Sequence, residues 1–195
     1  MTKARVNADN ASADIQGVTA GTGLSGGGTS GTVTLTVDDT VTATLTGSQT
    51  LTNKTLTAPQ VNYPILKAPE ENCTVSATAA TGTIAFDTQT QGVLYYTSNA
   101  SANWTVNFRG NSGTTLSSLL AVGDSITCVF LVTQGSTAYY NSAVQIDGSS
   151  VTPKWQGGVA PSAGNASSID AYSYTIIKTA ATPTYTVFAS QTKFA

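Results

Sequence analysis

The sequence predicts an all-β protein: an extended N-terminal β stem, then a β-sandwich or jelly-roll-like C-terminal domain. Three observations predict it. Short segments alternate apolar and hydroxyl-bearing residues with a period of two. Gly, Asn and Ser turns separate these segments at short intervals. Composition shifts near residue 70, where aromatics become frequent and apolar runs lengthen.

The stem is read from Gly17 to Pro59, a stretch built of Gly, Thr and Ser with a thin apolar line. In TVTLTV, Val33, Leu35 and Val37 face one way and the intervening threonines the other. Such a strand has one apolar stripe and must bury it against something. Aromatics are absent from this stretch, so the expected burial partners are identical segments from other copies. Leu24, Val33, Leu35, Val37, Leu45, Leu51 and Leu56 are therefore the expected inward residues of a trimeric stem. Gly21, Gly23 and Gly26 to Gly28 are read as a tight turn or a strand crossing near the symmetry axis. A phosphate-binding loop would need a Lys-Ser/Thr after the glycines and a helix beyond; TVTLTV is a strand. Residues 1–16 are polar and read as an attachment arm ordered on a partner. Pro59, Pro64 and Pro69 punctuate an extended linker, because proline cannot continue a central strand. The expected divisions are thus an arm (1–16), a stem with its linker (17–66) and a sandwich (67–195).

The sandwich strands are expected at 73–78, 82–87, 92–97, 103–109, 124–133, 136–146, 151–156, 171–178 and 184–190. One helical turn falls at 115–120, with Gly123 as its stop. The expected core draws on Ile84, Phe86, Leu94, Val106, Phe108, Leu119, Ile126, Val129, Leu131, Val144, Ile146, Tyr174, Ile176, Val187 and Phe188. About 125 residues can support such a core. Cys73 and Cys128 match no metal or redox spacing and are expected as free, buried thiols.

Only 9% of the 195 residues are charged and the net charge is −2, against about 25% charged in an ordinary domain. Ser and Thr exceed a quarter of the chain, so its surface is hydroxyl-rich rather than ionic. The eight basic residues are scattered and form no patch, which argues against nucleic acid as a partner. The longest apolar run, Ile126 to Val132, is strand-length, so no membrane insertion is expected. The N-terminus lacks an apolar signal region, and synthesis in a cytoplasm is expected.

Two parts resemble phage virion proteins. GVTAGTGLSGGGTSGTVTLTVD and LTGSQTLTNKTLTAP are similar to stem segments of phage tail fibres and related fibrous appendages. The second half, and KWQGGVAPSAGNASSIDAYSYTIIKT above all, resembles a domain of structural proteins in marine tailed phages, especially cyanophages. The resemblance implies a non-enzymatic, virion-located, trimeric protein. Its partners would be its own copies, another virion protein gripped by the arm, and a host-surface glycan. It implies either a tail fibre that attaches to the host or a head or neck fibre that decorates the capsid.

The residues themselves argue against catalysis. The chain has no histidine, which removes Ser-His-Asp and Cys-His chemistry and imidazole metal sites. Glycoside hydrolysis needs two carboxylates facing each other across a sugar. The only glutamates, Glu70 and Glu71, are adjacent in the linker, and the eight aspartates are dispersed, most of them at turn-like positions. No catalytic residue, metal site or cofactor is expected. Trp104, Trp155, Tyr139 and Tyr140 are the candidate glycan contacts, since exposed aromatic faces stack on sugars. The simpler role for both tryptophans is packing. The two tyrosines are read as strand neighbours whose rings point to opposite faces.

Overall fold

The structure is a computed structural model that describes residues 3–5, 17–29, 31–38, 40, 42, 48, 50–56 and 59–194. The expected arm falls outside these residues except for 3–5, and so does Leu45. The chain divides into two compact units, residues 1–64 and 65–195.

The N-terminal unit contains a three-stranded antiparallel sheet of β1 (Val18–Thr19), β2 (Leu24–Gly28) and β3 (Leu35–Val37). The expected tight turn lies at Gly21 to Gly23, closed by the Leu24 N–H donating to the Gly21 carbonyl at 3.0 Å, whereas Gly26 to Gly28 are themselves strand. Gly26 and Gly27 hold φ of +103° and +126°, a conformation that L side chains rarely adopt. A Cβ on Gly27 would lie 2.6 Å from the Val18 carbonyl, and one on Gly26 would overlap the Thr34 carbonyl. Neighbouring backbones thus approach to a distance that only glycine permits. Gly26→Ala should therefore dismantle this sheet while leaving the cooperative melting of the C-terminal unit unchanged, as circular dichroism and limited proteolysis would read.

The C-terminal unit is a sandwich of two sheets. One has four strands in the order β10-β9-β7-β5, the other six in the order β11-β13-β12-β8-β6-β4. Their ranges are β4 Cys73–Ala79, β5 Gly82–Asp87, β6 Val93–Ser98, β7 Trp104–Arg109, β8 Ser125–Thr133, β9 Asn141–Ile146, β10 Ser149–Val151, β11 Lys154–Trp155, β12 Ile169–Ala180 and β13 Thr184–Phe194. From β4 to β9 the chain alternates strictly between the two sheets. Successive strands of one sheet are consequently parallel: β4 with β6, β6 with β8, β5 with β7 and β7 with β9. Parallel strands need a crossover, and here each crossover is a strand of the opposite sheet. Antiparallel pairing returns with the β9–β10 hairpin and with β12, which pairs with both β8 and β13. This coil departs from the expected jelly roll, whose strand pairs are antiparallel.

The hairpin from Ile146 to Ser149 turns on Asp147 and Gly148, both with positive φ, as a two-residue hairpin loop requires. The Asp147 carboxylate also accepts from the Leu116 and Ser117 N–H groups at 2.7 and 3.0 Å, capping the short helix Leu116–Leu119. Lys178 Nζ donates to the Ser117 and Leu120 carbonyls at the other end. The helical turn expected at 115–120 is thus held at both ends by residues far away in sequence.

Trp104, Val106 and Phe108 of β7 face Phe130 of β8 and Tyr172 and Tyr174 of β12, with ring centroids 5.0–5.7 Å apart. Most expected core residues are buried: Ile84, Phe86, Leu94, Val106, Phe108, Val144, Ile146, Tyr174, Ile176 and Val187. Four are not. Leu119 and Phe188 are 41% and 48% exposed. On β8 the phase is inverted: Cys128, Phe130 and Val132 point inward, while Val129 and Leu131 lie on the outer face. SITCVFLVT is apolar at consecutive positions, so its periodicity cannot show which face is buried. Cys128 is a free buried thiol, pushed up to about 12 by burial. Cys73 is free but exposed, because β4 is an edge strand with little packed over it.

Candidate functional site

Two features of the molecule are candidates: the apolar stripe of the N-terminal sheet, and the aromatic and polar cluster at one end of the sandwich.

In the stripe, Leu24 pairs across the strands with Val37, and Gly26 with Leu35. Leu24, Leu35 and Val37 therefore share one face. They are 41%, 40% and 59% exposed, and Val33 is half-buried. On the opposite face Ser25 and Thr36 hydrogen-bond through their hydroxyls at 2.7 Å. Leu51 and Leu56, at 54% and 58% exposed, lie in chain without regular secondary structure. The sheet thus presents its apolar side chains to the outside of its own chain.

Of the four aromatic candidates, Trp104 is corrected. It is 1% exposed, wedged edge-on between Phe130 and Tyr172, and its Nε1–H is buried without a partner. A ring enclosed on both faces cannot stack on a sugar. Trp155 is half-buried at the sandwich edge, edge-on to Tyr172 and Tyr174 at 6.5 and 6.2 Å, and it lines two shallow clefts of about 400 and 250 Å³. The two tryptophans meet only through Tyr172. Tyr139 and Tyr140 are half-buried and lie in the loop before β9, not on a strand. The reason is local. The Gln134 amide accepts from the Tyr139 N–H at 2.9 Å and donates to its carbonyl at 2.6 Å, standing in for a strand neighbour.

Gln134 belongs to a buried polar network that the sequence reading missed. Asp170 Oδ2 accepts from the Gln134 amide (3.0 Å), the Asn165 N–H (3.0 Å) and the Gln191 amide (3.4 Å). Gln191 also donates to the Tyr172 hydroxyl, which accepts from the Asn141 N–H, and Tyr174 donates to Asn141 Oδ1. Gly164 makes room for this crossing: a Cβ there would lie 2.7 Å from the Gln134 amide and 2.8 Å from Asp170 Oδ2. One signal was available in the sequence. Asp170 and Lys178 fall in phase with Tyr172, Tyr174 and Ile176 along IDAYSYTIIK, which places both on the core face.

Burial pushes the Asp170 carboxyl above its ordinary value, against the weaker pull of its three donors and of the Lys193 charge. Well below the ordinary carboxylate value of about 3.9, folded and unfolded chains both hold the proton and the group is neutral to stability. As pH rises towards the elevated folded value, the unfolded chain releases the proton first, so the group subtracts progressively more stability, and above that value the loss stays constant. In Asp170→Asn this acid-side decline should vanish, as paired thermal melts between about pH 3 and pH 7 would show.

Beside the network lies an open cleft of about 570 Å³, lined by Asn99, Thr133, Gln134, Ser136, Ser167 and Phe194 among others. Its lining offers amides, hydroxyls and one half-exposed ring, with no charged group. That chemistry suits hydrogen bonding to a neutral polar ligand and supplies no acid, base or nucleophile pair. Four other described aspartates make structural contacts: Asp87 pairs with Arg109 at 2.6 Å, Asp147 caps the helix, and Asp38 and Asp124 accept from nearby N–H groups. Among the described residues no group of three or more metal-ligating side chains gathers, and no helix is long and apolar enough to cross a membrane.

The chain matches no family model, no curated protein and no solved structure.

Proposed function

We propose that this chain is a non-enzymatic, homotrimeric fibre subunit of a tailed-phage virion, mounted on the tail and contributing to host-surface attachment. The observation that carries the reading is the stripe of Leu24, Leu35 and Val37, which finds no cover within its own sheet. Three copies twisting around one axis would bury it and close strand edges that otherwise invite aggregation. Residues 1–16 would grip another virion protein. The C-terminal unit would offer weak contacts to neutral host glycans, multiplied by copy number into firm attachment. The uncharged cleft beside Gln134 and the half-buried Trp155 support that role; Trp104 does not.

The test has two parts. Light scattering on the intact protein at micromolar concentration should give three times the chain mass, and a monomer mass would overturn the trimer. Immunogold labelling of a C-terminal tag on virions should decorate the tail. Label over the capsid or neck would reassign the chain to a head or neck fibre that stabilises or decorates the particle.

A further inference from the structure

The two outer faces of the sandwich differ in a way that its fold does not require. The outer face of the four-stranded sheet is an ordinary solvent face. It carries the Asp87–Arg109 ion pair together with Asn107 and Gln145. The outer face of the six-stranded sheet is made wholly of apolar and hydroxyl side chains on its five long strands. Register places Val75, Tyr95, Leu131, Ala171 and Thr192 in one row directly across β4, β6, β8, β12 and β13. The adjacent row holds Val93, Val129 and Ser173. Within this unit no other layer covers the face: Val75 is 64% and Phe188 48% exposed, Ser173 and Thr192 are exposed, and Val93, Tyr95, Val129, Leu131 and Ala171 are half-buried. The one charged residue in register with it is Lys154, on the short edge strand β11.

We infer that this face is the contact between the C-terminal units of neighbouring copies in the trimer, an inference that rests on the trimeric reading above. Three arguments select a second copy as the occupant. A face whose five long strands carry no charge, with Lys154 only at its edge, offers little for a charged partner to complement but complements itself, and depletion of charge is the mark of an interface core. The size fits: five strands ~4.8 Å apart and about seven residues long span roughly 600 Å² before side-chain relief, the same order as the ~800 Å² per partner of a stable interface. Finally, an isolated sheet of this kind normally alternates apolar-in with polar-out. β8 instead reads as a strand buried on both faces, which is why its phase cannot be read from sequence.

The experiment is photo-cross-linking of the full-length protein with p-benzoylphenylalanine in place of Tyr95. The same probe at Thr105, on the opposite outer face, is the control. Expected are covalent dimers and trimers from the Tyr95 site, with adducts on outward residues of β8 or β12 of another copy, and their loss at the Thr105 site. A trimeric mass with no inter-copy adduct at Tyr95, or with adducts only inside one chain, would overturn this inference and leave the fibre reading standing. A monomeric mass for the unmodified protein would overturn both.

Discussion

Replacing Trp104 by alanine will destabilise the C-terminal unit by about 3–5 kcal/mol, the range for deleting a fully buried large aromatic. The ring is 1% exposed, and its removal opens a void between the sheets where Phe130 and Tyr172 meet it edge-on at 5.7 and 5.6 Å. Edge-to-face contacts add to the loss beyond buried area. Thermal unfolding should shift down by roughly 10–20 °C for a domain of this size. Trp104→Phe should recover much of the loss, because the indole Nε1–H makes no hydrogen bond that phenylalanine would forfeit. If the variant melted like the parent and lost only glycan binding, the packing account of Trp104 would be wrong.

Leu35→Asp should produce the largest change in assembly. Within one chain Leu35 is 40% exposed opposite Gly26, so a carboxylate there costs the isolated sheet little. In the proposed trimer it brings three carboxylates into one dry site, at several kcal/mol per buried ion. The variant should therefore exchange its amides rapidly over residues 18–37 and be clipped there by protease. The C-terminal melt should stay within about 0.5 kcal/mol of the parent. Adding Leu131→Asp on the six-stranded face should yield a monomer by light scattering. Unaltered protection of the N-terminal sheet in Leu35→Asp would contradict the trimeric stem.

Much of the architecture was legible because strand periodicity is local. GTIAFD and NWTVNFR show one apolar face each, and β5 and β7 sit within a residue of their expected bounds. Partner choice was not legible. The parallel coil from β4 to β9 depends on pairings between distant segments, which alternation does not encode. The glycine run stayed open between a turn and a strand crossing because LSGGG carries almost no side-chain pattern; close backbone packing makes it a strand. Tyr139-Tyr140 has strand-like composition, but the Gln134 side chain takes up the backbone groups that a strand neighbour would pair. The candidate site divided in the same way. The stripe of Leu24, Leu35 and Val37 was visible as alternation, whereas the Asp170–Gln134–Gln191 cluster joins residues from three distant segments.

The course of the six-stranded sheet bears on how the protein would carry load. β4 runs parallel to β6 and β8, β12 reverses, and β13 reverses again, so β13 points the same way as β4. The chain thus enters the sheet at one end of β4 and leaves it at the opposite end, on β13. Tension between those two points acts along the strands. Their hydrogen bonds lie across the direction of pull and must fail together in shear rather than open one by one. A subunit built this way would stay folded under a sustained pull that would peel apart a sheet loaded at its edge.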